Sequence, residues 1–91
     1  MKSFNWNNEK NELLKKTRHI SFENVVYALE QGALLDIIEN PNEEKYRGQY
    51  VLVVDIDGYV HMVPFVENDS EIFLKTIIPS RKMTKLYLGE E

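Results

Sequence analysis

YVLVVDIDGYVHMVPFV, residues 50–66, contains two apolar runs joined by Asp57-Gly58. Aspartate followed by glycine between β-branched runs is a strong signal for a two-residue type I′ turn, in which both central residues take positive φ. The stretch therefore predicts an antiparallel hairpin. With that loop, Ile56 faces Tyr59, Val54 faces His61 and Leu52 faces Val63. Downstream, the run Glu67 to Ser70 predicts a four-residue turn, and EIFLKTII, residues 71–78, predicts a third strand. His61 then faces Thr76, Val63 faces Leu74 and Phe65 faces Ile72. One sheet face collects Tyr50, Leu52, Val54, Ile56, Tyr59, His61, Val63, Phe65, Ile72, Leu74, Thr76 and Ile78. The other collects Val51, Val53, Asp55, Val60, Met62, Val66, Phe73, Lys75 and Ile77. That second face is too apolar to be left in water. A partner chain, another copy, or the last helix folding back must cover part of it.

Outward from the hairpin, the periodicity changes. Toward the N-terminus, ALLDII, residues 33–38, is a short apolar strand candidate, followed by the polar loop NPNEEKYRG. Phe22, Val25, Val26 and Leu29 recur at helical spacing. Ser21 is a good N-cap for them, and Ile20 and Val25 stand at the N′ and N4 positions of a hydrophobic staple. Gly32 ends that helix. An earlier helix runs through EKNELLKK, capped by Asn7 or Asn8, and FNW before it is a short strand or an extended lead-in. Toward the C-terminus, Pro79 stops the third strand, Ser80 caps a last helix through about Leu88, and Gly89 terminates it. The fold class expected is α+β: two N-terminal helices, an antiparallel sheet of three to four strands and a short C-terminal helix.

The bulk composition bounds the function. Ninety-one residues make a single domain, with room for a modest core and little room for a deep cofactor cavity. Cysteine is absent, which excludes disulfides, thiolate catalysis and zinc sites with sulfur ligands, and fits a cytoplasmic protein. No apolar run approaches the ~20 residues that span a bilayer. A net charge of −4 argues against a broad cationic coat for nucleic acid, so any nucleic-acid function must rest on a local patch. Asp36, Glu39, Glu43 and Glu44 have neither metal-loop spacing nor a histidine partner, so no metal site and no cofactor is expected.

The ordered segments FNWNNEK, RHISFENVVYAL, NEEKYRGQYVLVV and IIPSRKMTKLY together resemble the toxin component of BrnT-type toxin–antitoxin systems. Phe4, Trp6, Lys10 and Asn11 match the opening of the family pattern. His19, Ser21 and Phe22 match its second segment, Glu43, Glu44, Lys45 and Tyr46 its third, and Ile77, Ile78, Arg81, Lys82 and Tyr87 its last. The resemblance covers nearly the whole chain. Thr76 stands where the family usually has arginine, Pro79-Ser80 replaces a Ser-Ala pair, and the family's H-T-x-R-G segment is absent. The resemblance implies a RelE-like fold and a metal-independent endoribonuclease that cuts mRNA. It also implies silencing by a cognate antitoxin, with a homodimer or a heterotetramer as the assembled states.

Metal-free RNA cleavage uses the substrate's own 2′-hydroxyl as nucleophile. The protein must take that proton, protonate the leaving 5′-oxygen and stabilise charge on phosphorus. Within the resemblance, Arg81 is the expected phosphate anchor, Lys45 and Arg47 the opposing clamp, and Tyr87 an acid or positioning group. Lys75, Lys82, Lys85 and Tyr46 are expected to bind RNA, with Tyr46 or Trp6 stacking a base. Each has an ordinary reading too. Arg81 to Lys85 is commonly a solvated helix face, Lys45 and Arg47 loop solubility, and Trp6 core. His61 reads as a structural histidine, and His19 as a charge at a helix C-terminus. A catalytically silent binding module of the same fold, or a small housekeeping domain, are the competing functions.

Overall fold

The computed structural model describes residues 2–40 and 49–89. Their order is β1 (Ser3–Trp6), α1 (Asn8–Arg18), α2 (Phe22–Glu30), β2 (Leu34–Glu39), β3 (Tyr50–Ile56), β4 (Tyr59–Glu67), β5 (Glu71–Leu74), β6 (Ile78–Pro79) and α3 (Arg81–Leu88). The strands form one sheet in the order β1-β5-β4-β3-β2, with β6 also pairing β4. The expected RelE-like plan is overturned. Six strands stand where three or four were expected, and the first precedes both helices. The sheet is mixed, because β1 runs parallel to β5, with Phe4 beside Ile72 and Trp6 beside Leu74.

The central hairpin follows its sequence. Asp57 and Gly58 both have positive φ, 54° and 81°, and the pairs Ile56–Tyr59, Val54–His61 and Leu52–Val63 form in the expected register. The next turn is tighter than a four-residue loop. Glu67 extends β4, Glu71 opens β5, and the Asn68 Oδ1 accepts the N–H groups of Ser70 and Glu71, each at 2.9 Å. Phe65 therefore faces Leu74 rather than Ile72. The shift is two residues, so each side chain here keeps its face.

The third strand also breaks. The N–H of Lys75 donates to the Pro64 carbonyl at 2.8 Å, and Pro64 has no N–H to return the bond. The ladder stops there and resumes as β6, with Ile78 beside Met62. Across the gap the side-chain alternation is inverted. Ile77, expected on the second face, is fully buried in the main core, and Ile78 is exposed.

That core lies between the sheet and the two N-terminal helices. It gathers Leu14, Ile20, Phe22, Val25, Leu52, Val54, Val63, Phe65, Leu74 and Ile77. Asn11, itself buried, joins the two helices. Its Oδ1 accepts the Phe22 N–H at 2.8 Å and its Nδ2 donates to Glu23 at 2.8 Å. Ser21 and Asn24 complete a reciprocal cap at the start of α2. Trp6 stacks on Phe22 at 5.7 Å between centroids, so it is half-buried and packs against the core.

The opposite sheet face is covered from within the chain. α3 folds back over it and leaves Val51, Val53 and Val60 at most 1% exposed. The fixing contact is Thr84, whose Oγ1 accepts the Val60 N–H at 2.9 Å and donates to the Ser80 carbonyl at 2.7 Å. For the middle of this face, the fold-back reading prevails over a partner chain.

Candidate active site

The docking of α3 decides where its cations go. Ser80 caps the helix through the Met83 N–H at 3.1 Å, and Gly89 ends it in the left-handed region. Thr84 faces the sheet, so Arg81, Lys82 and Lys85 point to solvent. Tyr87 turns toward the sheet and its hydroxyl donates to Asp36 Oδ2 at 2.7 Å. That hydrogen bond first, then desolvation and the charge of Asp36, raises the phenol above its ordinary value. Tyr87 is thereby a poorer proton donor near neutrality. Lys75 follows β5 in an exposed position, its Nζ 5.6 Å from the Phe73 ring centroid. It lines a shallow cleft of about 730 Å³ with Asn7, Glu9, Lys10, Leu13 and Phe73. The expected clamp residues Lys45 and Arg47, with Tyr46, lie outside the described residues.

A different cleft, of about 690 Å³, opens between the α1–α2 junction and the β3–β4 hairpin. Both of the chain's histidines line it, together with Arg18, Asn24, Tyr27, Asp55, Asp57 and Tyr59. Local structure places each group. His19 takes φ 55° at the end of α1, and the chain turns there, placing Arg18 and His19 side by side at the rim. The Arg18 Nη1 donates to the Ile77 carbonyl at 2.7 Å, fixing the guanidinium while its other N–H groups stay available. Tyr27 projects from α2 and is 64% exposed. On the hairpin, Tyr59 and His61 are two residues apart and share a face, their rings edge-on at 5.7 Å.

His61 is the group whose chemistry is best defined. Its Nδ1 lies 3.0 Å from the Tyr59 carbonyl. A carbonyl only accepts, so Nδ1 carries the proton and Nε2 is left as a base. Burial lowers the imidazole from its ordinary value of 6.5, outweighing the Tyr59 hydrogen bond and the charges of Asp57 and Asp55, which act the other way. A half-buried, neutral imidazole is thus held in fixed orientation at physiological pH. Asp55 is committed to the turn, where its Oδ1 accepts the Gly58 N–H at 2.9 Å.

The sequence places His61 on the correct face, where it reads as a structural histidine, and His19 reads there as a charge at a helix C-terminus. The signal that was present is small: two histidines, one beside an arginine and one three residues after a hairpin turn. Only the packing of α1 and α2 against β3 and β4 unites them. Among the described residues, no group of three or more histidine or carboxylate side chains is placed to hold a metal ion, and no helix is long and apolar enough to cross a membrane. No family model, curated protein or solved structure matches the chain.

Proposed function

We propose that the chain is a metal-independent endoribonuclease, the toxin half of a toxin–antitoxin pair, held inactive by a cognate antitoxin and working in the cleft that contains both histidines. The ordered motifs shared with BrnT-type toxins support the class. The observation that carries the chemistry is the neutral, oriented imidazole of His61 in one cleft with His19 and Arg18. In this reading the Nε2 of His61 takes the proton of a ribose 2′-hydroxyl. The 2′-oxygen attacks phosphorus and the bond to the 5′-oxygen breaks. His19 returns a proton to that oxygen. The products are a 2′,3′-cyclic phosphate and a 5′-hydroxyl. The free N–H groups of Arg18 balance the charge that grows on the phosphoryl oxygens, and the exposed ring of Tyr27 offers a surface for a base.

The test is cleavage of a single-stranded RNA in the presence of a chelator. Wild-type protein is expected to yield cyclic-phosphate ends. His61→Ala should lower the rate by about 10²-fold or more, the usual worth of a positioned general base, and Arg18→Ala should also lower it. Intact RNA with folded wild-type protein, or cleavage unchanged in His61→Ala, refutes the proposal. The silent binding module is favoured by one observation, the presence of Asp55 and Asp57 in the same cleft, which opposes a polyanion. It requires that RNA stay intact in every variant.

A further inference from the structure

The outer edge of β2 combines open backbone groups, aliphatic side chains and acid. Among the described residues, no strand pairs with that side. The register shows which groups are open. The Asn40 N–H donates to the Gln49 carbonyl at 2.9 Å, and Ile38 pairs with Val51, Ile37 with Leu52 and Glu39 with Tyr50. Alternation along an antiparallel ladder then turns the N–H and C=O of Ile37 and Glu39 outward. Leu34, Leu35 and Ile37 are 40%, 37% and 51% exposed. Open edges are usually shielded by lysine, proline or a bulge. This strand has no lysine and no proline, but it has a register shift between Leu34 and Asp36. It also carries one further guard: Asp36 Oδ1 accepts the outward N–H of Ile37 at 2.8 Å. The other oxygen of Asp36 holds the Tyr87 hydroxyl.

We infer that the β2 edge accepts an extended cationic–aliphatic segment of a partner protein as an added strand, with Asp36 releasing the Ile37 N–H and pairing with a cation of the incoming chain. Charge decides the occupant. A second copy pairing through its own β2 would set Asp36 beside its counterpart or Glu39 beside its counterpart, according to register, and like charges across a ladder destabilise it. A strand carrying lysine or arginine meets one of these acids favourably, Asp36 on the α3 side or Glu39 on the opposite side, according to which way its cations face. The net charge of −4 attracts it from a distance. Backbone pairing supplies affinity in such strand addition, and the flanking side chains supply selectivity. The inference goes beyond the nuclease reading and does not depend on it.

The probe is a capped heptapeptide of alternating lysine and valine, titrated into ¹⁵N-labelled protein, with the glutamate–valine peptide as control. Saturable amide shifts centred on Ile37 and Glu39 are expected for the lysine peptide alone. Ile37→Pro removes an outward N–H and its local bond to Asp36 but no ladder bond to β3, so it should keep a dispersed spectrum and bind about tenfold more weakly or worse. Should that variant unfold, Glu39→Lys provides the second arm and is expected to weaken the lysine peptide while admitting the glutamate one. Three results would overturn the inference: no saturable shift along residues 34–39, equal binding of both peptides, or concentration-dependent shifts at Ile37 and Glu39 without peptide. The last would mean that a second copy is the occupant.

Discussion

Thr84→Val is the sharpest test of how the last helix is held. The exchange keeps nearly the same volume and replaces a hydroxyl by a methyl. Two hydrogen bonds disappear: the one from Val60 N–H at 2.9 Å and the one to the Ser80 carbonyl at 2.7 Å. Ser80 keeps a partner, because the Thr84 N–H also donates to its carbonyl at 3.0 Å. Val60 does not. Its N–H is left in a fully buried residue, and an unmet buried donor costs about 1–3 kcal/mol. The added methyl returns at most ~0.8 kcal/mol. The net loss is about 0.2–2 kcal/mol, which lowers the Tm of a domain this size by up to roughly 16 °C. Thermal unfolding by circular dichroism reads the shift, and amide exchange of Val60 reads its cause. Thr84→Ser keeps both bonds, so Val60 should stay protected even if the missing methyl lowers the Tm. A Thr84→Val protein as stable as wild type, or one in which the Val60 amide remains equally protected, would refute the assignment of Thr84 as the anchor of α3.

Asn11→Ala should cost about 1–3 kcal/mol in urea unfolding, because it leaves the Phe22 N–H unmet where α1 meets α2. Leu74→Ala, at a fully buried position between both helices and the sheet, should cost about 2–5 kcal/mol by the same assay. His61 sets a pH dependence. Its folded-state value lies below the unfolded 6.5, so the unfolded chain binds more protons as the solution is acidified. Its stabilising contribution is complete above about pH 6.5 and is lost as pH falls toward the folded value. Tm measured from pH 7.5 to 5.5 should therefore fall less in His61→Gln than in wild type. Glu23, lowered chiefly by its hydrogen bond from Asn11, acts only below its ordinary value of 4.5 and leaves that window clear. Removing the Lys2–Glu67 ion pair, whose side chains are 38% and 43% exposed, should change stability by less than about 1 kcal/mol.

Local rules read the elements whose causes are local. Asp57-Gly58 announced its turn, Ser21 and Ser80 their caps, Gly32 and Gly89 their helix ends, because each depends on the conformational range of one or two residues. The misreadings arose where a distant residue decided the outcome. Pro64 interrupts a ladder formed by Lys75, and that interruption exchanges the faces of Ile77 and Ile78. Asn68 tightens a turn by accepting two N–H groups, which slides β5 by two residues. The pairing of β1 with β5 has no sequence signal beyond the apolar alternation of Phe4 and Trp6. The site followed the same pattern. Arg81 and its neighbours stand together along the chain but point to solvent, whereas the pair Arg18-His19 and the distant His61 meet in one cleft.

The parallel pairing of β1 with β5 has a consequence for synthesis. Residues 3–6 leave the ribosome well before their partners at residues 71–74. Until then Phe4 and Trp6 have no strand to lie against, and the Trp6–Phe22 stack forms on an unfinished floor. The sheet thus closes only once residues 71–74 have emerged, and a nascent chain cut short before residue 71 should remain unable to complete this architecture.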